Sequence, residues 1–321
     1  MDSPDTRSRG SYPTTIVRRK PYWQWVALAV LAVLLAMLAH TLVVNDRFGW
    51  AVVGEFFFSE QILLGLQRTL WLTVLAMLIG VVLGTALAVA RMSSNKVLSQ
   101  TANAYIWFFR GTPLLIQLIF WYNLSALYPE LSLGIPFGPE FVSGETNALV
   151  SVYVAAVLGL GMNEAAYMAE IIRGALLAVD FSQTEAAHAL GMTGSMTFRR
   201  IVFPQAVKIL LPPTANQTIG MLKYTSLVSV LALPELLYSA QLIYSQNFQT
   251  IPLLIVVALW YLIVTTVLTF FQYLLEKRYG RGDARRRAGG GRPSRPRRTR
   301  PAPPPLPDEQ VASLPAAEVP R

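Results

Sequence analysis

Five polar side chains fall inside stretches otherwise apolar enough for a bilayer: Gln117, Asn163, Glu164, Tyr167 and Lys223. A charged group at a bilayer centre costs about 2.5–3.5 kcal/mol on insertion scales, so it turns to a cavity or a partner. Asn163, Tyr167 and Glu170 are spaced i, i+4, i+7, and Asn216, Gly220 and Lys223 repeat that spacing. Each segment, read as a helix, carries one polar stripe that should avoid lipid. The chemistry on offer is contact with a polar solute: Glu164 suits a cationic group on it and Lys223 an anionic one, with Gln117, Asn163 and Tyr167 as orienting hydrogen-bond groups. The same two charges equally suit a structural ion pair, in which loss of one strands the other.

Bond-making chemistry has little to stand on. The 321 residues hold no cysteine and two histidines, His40 and His188, far apart in the chain. A metal site is not expected from them, and no nucleophile-base set stands out. There is no G-x-x-x-x-G-K phrase to cradle a nucleotide phosphate. No cofactor is therefore expected on this chain, and any energy source lies elsewhere.

The elements that must position the polar groups are membrane spans. Hydrophobic residues make up 53% of the chain and charged ones 14%, against about 25% charged in soluble domains. The formal charge of +9 does not point to nucleic acid, because 12 of the 27 Lys and Arg lie from Lys277 onward. Most others flank apolar runs of the roughly 20 residues that a span needs.

The expected architecture is all-α and polytopic, with about six spans. Residues 1–22 read as a disordered cytoplasmic arm and Trp23–Val44 as a retained first span. Leu63–Ala90 is the second, and its Gly80-xxx-Gly84 spacing permits close helix approach, although such spacings recur by chance. Residues 91–110 return to the cytoplasmic face, with Tyr105, Trp107, Phe108 and Phe109 as an interfacial aromatic run. Thr112 can cap a third span that starts at Pro113 and ends near Tyr128. The fourth covers about Asn147–Ile172, the fifth runs from Pro212-Pro213 to Leu233, and the sixth is Ile251–Leu275. Asn45–Gln61, which contains Arg47, and segments 129–145 and 234–249, which contain no Lys or Arg, read as outside loops. Arg18, Arg19, Lys20, Arg91, Arg110, Arg173, Arg199, Arg200 and Lys277 fall on the other side, which puts both termini in the cytoplasm. Residues 279–321, rich in Arg, Pro and Gly, cannot bury enough apolar surface to fold. Such a tail can hold anionic lipid at about 1 kcal/mol per basic residue, or simply fix topology.

One long stretch should be both solvated and structured, Glu185–Pro204. Ser182 followed by Glu185 is a capping-box signature that predicts a helix from Ser182, and Gly191 suits the φ > 0 residue that would stop it. A second short helix is expected from near Thr197 into Pro204. A helical turn of this size is too small to hold a substrate, so a surface for another protein is the natural reading.

Glu185-Ala186-Ala187, then Gly191, Ile201 and Phe203-Pro204 in fixed register, resembles the EAA loop of ABC-importer permeases. Phe203 stands where that pattern usually has Leu. A decoy at Glu164-Ala165-Ala166 fails, because Glu170 occupies the glycine position. Arg110-Gly111-Thr112-Pro113-Leu114-Leu115-Ile116-Gln117-Leu118 resembles the polar amino-acid branch of the same family. The resemblance spans about residues 60–278 and implies a five-helix core plus one added N-terminal helix. It implies ATPase docking through Glu185, Ala186, Ala187, Gly191, Ile201 and Pro204. Implied partners are two ATP-binding subunits carrying ATP and Mg, an extracytoplasmic solute-binding protein, a second permease and membrane lipid. An ion-coupled secondary transporter using Glu164 or Glu170 is one rival reading, and a membrane-embedded enzyme another.

Overall fold

The computed structural model describes residues 22–135 and 138–279. The expected arm, apart from Tyr22, and the tail beyond Tyr279 lie outside the described residues. The chain begins with α1 (Tyr22–Val44), which is apolar around its whole circumference and has no buried residue. Short α2 (Trp50–Phe56) follows a left-handed Gly49, and Trp50 Nε1 donates back to the Leu42 carbonyl at 2.7 Å. Then come α3 (Glu60–Arg91), α4 (Lys96–Gly111) and α5 (Leu114–Tyr122). A two-stranded antiparallel hairpin, β1 (Glu130–Gly134) and β2 (Glu140–Glu145), lies in the expected outside loop 129–145. The rest is helical: α6 (Thr146–Leu149), α7 (Val152–Leu177), α8 (Phe181–Ala189), α9 (Gly194–Thr197), α10 (Phe203–Tyr224), α11 (Leu236–Asn247) and α12 (Thr250–Tyr279).

Packing centres on α3 against α7, and glycine makes it possible. A Cβ on Gly80 would lie 2.4 Å from Glu164 Cγ, and one on Gly84 would lie 2.7 Å from Met168 Cβ. The spacing read as weak in the sequence is thus the seam of the fold. Leu72, Ala76, Leu118, Leu160, Met168 and Met221 form one buried cluster around it. A second cluster joins the start of α3 to α11 and α12 through Ile62, Leu236, Ala240, Leu253 and Val256. Glu235 fastens it. Its carboxylate caps α11 through Tyr238 N at 2.8 Å and accepts from Thr69 Oγ1 of α3 and Tyr261 OH of α12, both at 3.3 Å.

The structure moves several expected boundaries. Four helices among the described residues, α1, α3, α7 and α12, are long and apolar enough to cross a membrane; the bent pair Gly194–Leu231 and Leu236–Asn247 adds a fifth. The expected third span from Pro113 to Tyr128 is instead nine-residue α5, about 14 Å long. That is under half of a hydrocarbon core. Pro113 is its N-cap, and Thr112 closes α4 rather than opening α5. Nor is the aromatic run of α4 wholly interfacial: Phe109 is buried while Trp107 is exposed. Pro212 and Pro213 lie inside α10 instead of opening it. The expected outside loop 234–249 contains α11, which buries Leu236, Ala240 and Ile243.

Candidate functional site

Between α4 and α5 the backbone is broken at Thr112-Pro113, because a proline ring carries no N–H for helix continuation. The break leaves carbonyls near the end of α4 needing donors. Two amides supply them. Asn163 Nδ2 donates to the Phe109 carbonyl at 2.9 Å and to Gln117 Oε1 at 3.1 Å. Gln117 Nε2 reaches the same Phe109 carbonyl at 3.0 Å and Thr112 Oγ1 at 2.7 Å. Both amides are 5% exposed. Gln117, expected to orient a substrate, has its amide bonded across the break to Phe109, Thr112 and Asn163.

A cavity of about 460 Å³ lies against this brace, walled by Arg110, Thr112, Pro113, Asn163, Tyr167 and Tyr224, among others. A second, of about 480 Å³, is lined by Arg91, Asn103, Trp107 and Glu170 together with Arg110 and Tyr167. The Arg110 guanidinium stands over the Tyr167 ring, its carbon 5.3 Å from the centroid, so this pair borders both cavities. Glu170 is held between Arg91 and Arg173, the latter at 3.0 Å. The predicted stripe of Asn163, Tyr167 and Glu170 therefore does line cavities.

Glu164 and Lys223 do not join it. Glu164 is adjacent to Asn163 but turned away, fully buried against Gly80, with Gln217 Nε2 donating to Oε2 at 3.0 Å. Its Oε1 has no hydrogen-bond partner among the described residues. Lys223 is exposed on α10, and the ion pairs among the described residues are those of Glu170 with Arg91 and Arg173. The Glu164–Lys223 pair expected as one alternative is not formed. Arg110 and Tyr224, cavity-lining residues that polar periodicity missed, sit at helix ends where a stripe of fixed spacing stops. Arg110 carried one signal, since it opens the Arg-Gly-Thr-Pro phrase.

The loop has its own geometry. Asp180, not Ser182, caps α8, accepting from Ser182 N at 3.0 Å. At the other end Gly191 has φ +77°. Its N–H donates to the His188 carbonyl at 2.9 Å, and Met192 N–H to the Ala187 carbonyl at 3.1 Å. These two bonds are the Schellman closure. Thr193 caps α9, which starts at Gly194 rather than near Thr197. A π-helical turn, Phe198–Val202, then carries Arg199, Arg200 and Ile201 straight into α10 with Pro204 in its first turn. Glu185 and Ala186 are exposed, whereas Ala187 is buried.

Residues 76–281 match the protein family described as the inner membrane component of binding-protein-dependent transport systems. The chain belongs to this family. The permease is 44% identical over 265 residues to the arginine transport system permease protein ArgU of Corynebacterium glutamicum, covering 82% of each chain. It is 36% identical to the histidine/lysine/arginine/ornithine permease HisM of Escherichia coli, over 67% of this chain and 87% of that one. Among solved structures, a crystallised amino acid ABC transporter chain superposes with a TM-score of 0.59 at 37% identity, covering 68% of the permease and 94% of that chain. An inward-facing methionine ABC transporter shares the fold, with a TM-score of 0.56 at 19% identity. The protein is a multi-pass amino-acid ABC transporter permease, a transport subunit rather than an enzyme.

Proposed function

We propose that this permease imports a polar amino acid by alternating access, driven by two ATP-binding subunits docked on α8, α9 and the π turn. ATP and Mg would reside on those subunits. An extracytoplasmic binding protein would deliver cargo to a pathway shared with a second permease. The observation that carries the docking reading is apolar exposure on the short elements that carry Glu185 and Pro204: Phe181, Leu190 and Phe203 are 72%, 83% and 51% exposed. Large apolar side chains left exposed on a structured turn suit a protein contact. Arginine is the first cargo to test, because relatives bear its name.

The docking reading has a direct test. Glu185→Ala removes an exposed carboxylate from α8, and Gly191→Val strains a residue at φ +77°. Both variants should insert and extract at wild-type yield, but co-purify with far less ATPase and hydrolyse ATP without import. Normal coupling in both would remove the loop from the power train.

Orientation is checked separately. The proposed arrangement in the plasma membrane puts both termini and the loop in the cytoplasm, as the distribution of Lys and Arg favours. Single cysteines at the exposed positions Ser143 and Ser245 should react with impermeant thiol reagents from outside, and one at Ser195 only from inside. The chain has no cysteine of its own to confuse the result. Outside labelling at Ser195 would invert the topology.

A further inference from the structure

We infer that Arg110 reads the α-carboxylate of the cargo. The inference rests on the amino-acid permease reading and goes beyond it by naming the group that recognises the backbone end of the substrate. Any free amino acid brings a carboxylate that must leave water in a narrow passage, and an unpaired charge there is costly. Lys223 lines neither of the two cavities at the α4–α5 break, and Arg110 lines both. Among the residues around the cavity beside the break, Arg110 is the charged one.

Its surroundings leave it available. The arginines nearby, Arg91 and Arg173, share Glu170 as counter-ion. Arg110 forms no ion pair among the described residues, and its guanidinium lies over the Tyr167 ring. A cation–π contact consumes none of the five N–H donors of a guanidinium. Those donors form a planar fork that matches a carboxylate with two parallel hydrogen bonds. Arginine is suited to that geometry where lysine, a point charge, is not.

The cavity also offers a place for the other end of the zwitterion. Asn163 Nδ2 is used twice, on the Phe109 carbonyl and Gln117 Oε1, which leaves Oδ1 as its uncommitted acceptor among the described residues. An ammonium requires acceptors only, and this one belongs to a side chain whose rotamer the brace already fixes. The side chain of the cargo then lies toward Tyr167 and Tyr224. Because Arg110 borders both cavities, the carboxylate can stay on it while the cargo passes from one to the other.

The test uses the permease assembled with its ATPase subunits. ATP-driven uptake in liposomes, with the binding protein present, first identifies the transported amino acid from a panel beginning with arginine. Equilibrium binding of that radiolabelled amino acid to the complex without binding protein is then competed with the unlabelled amino acid and with its α-carboxamide. Wild type should prefer the free acid by about tenfold or more, the scale of a charge-assisted hydrogen-bond pair. Arg110→Gln should shrink that preference to within about twofold, at an unchanged melting temperature. Arg110→Lys should keep part of it, and stands in if the Gln variant folds poorly. A full wild-type preference in either the Gln or the Lys variant would overturn the fork, as would a wild type that does not distinguish acid from amide. If the complete complex imports no amino acid at all, the transport reading falls first and takes this one with it.

Discussion

Gly84→Val should leave almost no folded permease in the membrane. A Cβ at that position would stand 2.9 Å from the Ala165 carbonyl oxygen and 3.0 Å from Ala169 N, as well as 2.7 Å from Met168 Cβ. Two of those three atoms are backbone of α7, so no rotamer change relieves the clash and the helices must separate. Overpacking a tight core costs about 1–3 kcal/mol when side chains can adapt, and this site belongs at or above the top of that range. Gly80→Ala should do less harm, since the atoms nearest its Cβ belong to the Glu164 side chain. Gly174→Val, on α7 with nothing within 4 Å of the added carbon, is the control, and should be neutral or slightly stabilising, because glycine is the poorer helix former of the two. Yield of monodisperse protein and its melting temperature check the order. Equal yields for Gly84→Val and Gly174→Val would refute the seam.

Asn163→Leu should fold with a markedly lower melting temperature and lose uptake. The substitution strands Gln117 Oε1 and takes one of two donors from the Phe109 carbonyl. An acceptor left unpaired in a buried site costs about 1–3 kcal/mol. Asn163→Asp should be no better despite its equal size, because it sets an acceptor against two acceptors. A residue that merely touched cargo would lose transport while keeping its melting temperature, so measuring both separates brace from contact. A stable but inactive Asn163→Leu would show that the amide serves substrate alone.

The first, second, fourth and sixth expected spans were legible because an apolar run of bilayer length admits few other fates, and Gly191 because little but glycine closes that turn cheaply. Helix breaks were harder. Pro113 and Pro212-Pro213 carry the same local signal, a helix start, yet Pro113 precedes a helix while the pair sits inside α10. Within a bilayer a proline is tolerated mid-helix where neighbours satisfy the freed carbonyls, which local sequence does not reveal. Asp180 and Ser182 are both good capping residues, so the choice between them was open to the backbone. The facing of helices was the deeper obscurity. Asn163 and Glu164 are consecutive and about 100° apart around α7. One meets the α4–α5 break and the other Gln217 of α10. Periodicity assigns residues to a stripe on one helix, but it does not say which neighbour that stripe meets.

The course of α10 has a mechanical meaning. At its start it is continuous with the π turn beside Glu185, and at its end Tyr224 forms part of the cavity wall. The helix between is about 33 Å of strut, joining the loop to the chamber without an intervening joint at either junction. Pro212 and Pro213, two-fifths of the way along, lack the N–H groups that would otherwise stiffen that turn. On the proposed docking, force applied at the loop would be delivered as a swing about the prolines, with the longer arm on the chamber side. The α3–α7 pair, packed with no clearance at its glycines, is the fixed post against which such an arm would work.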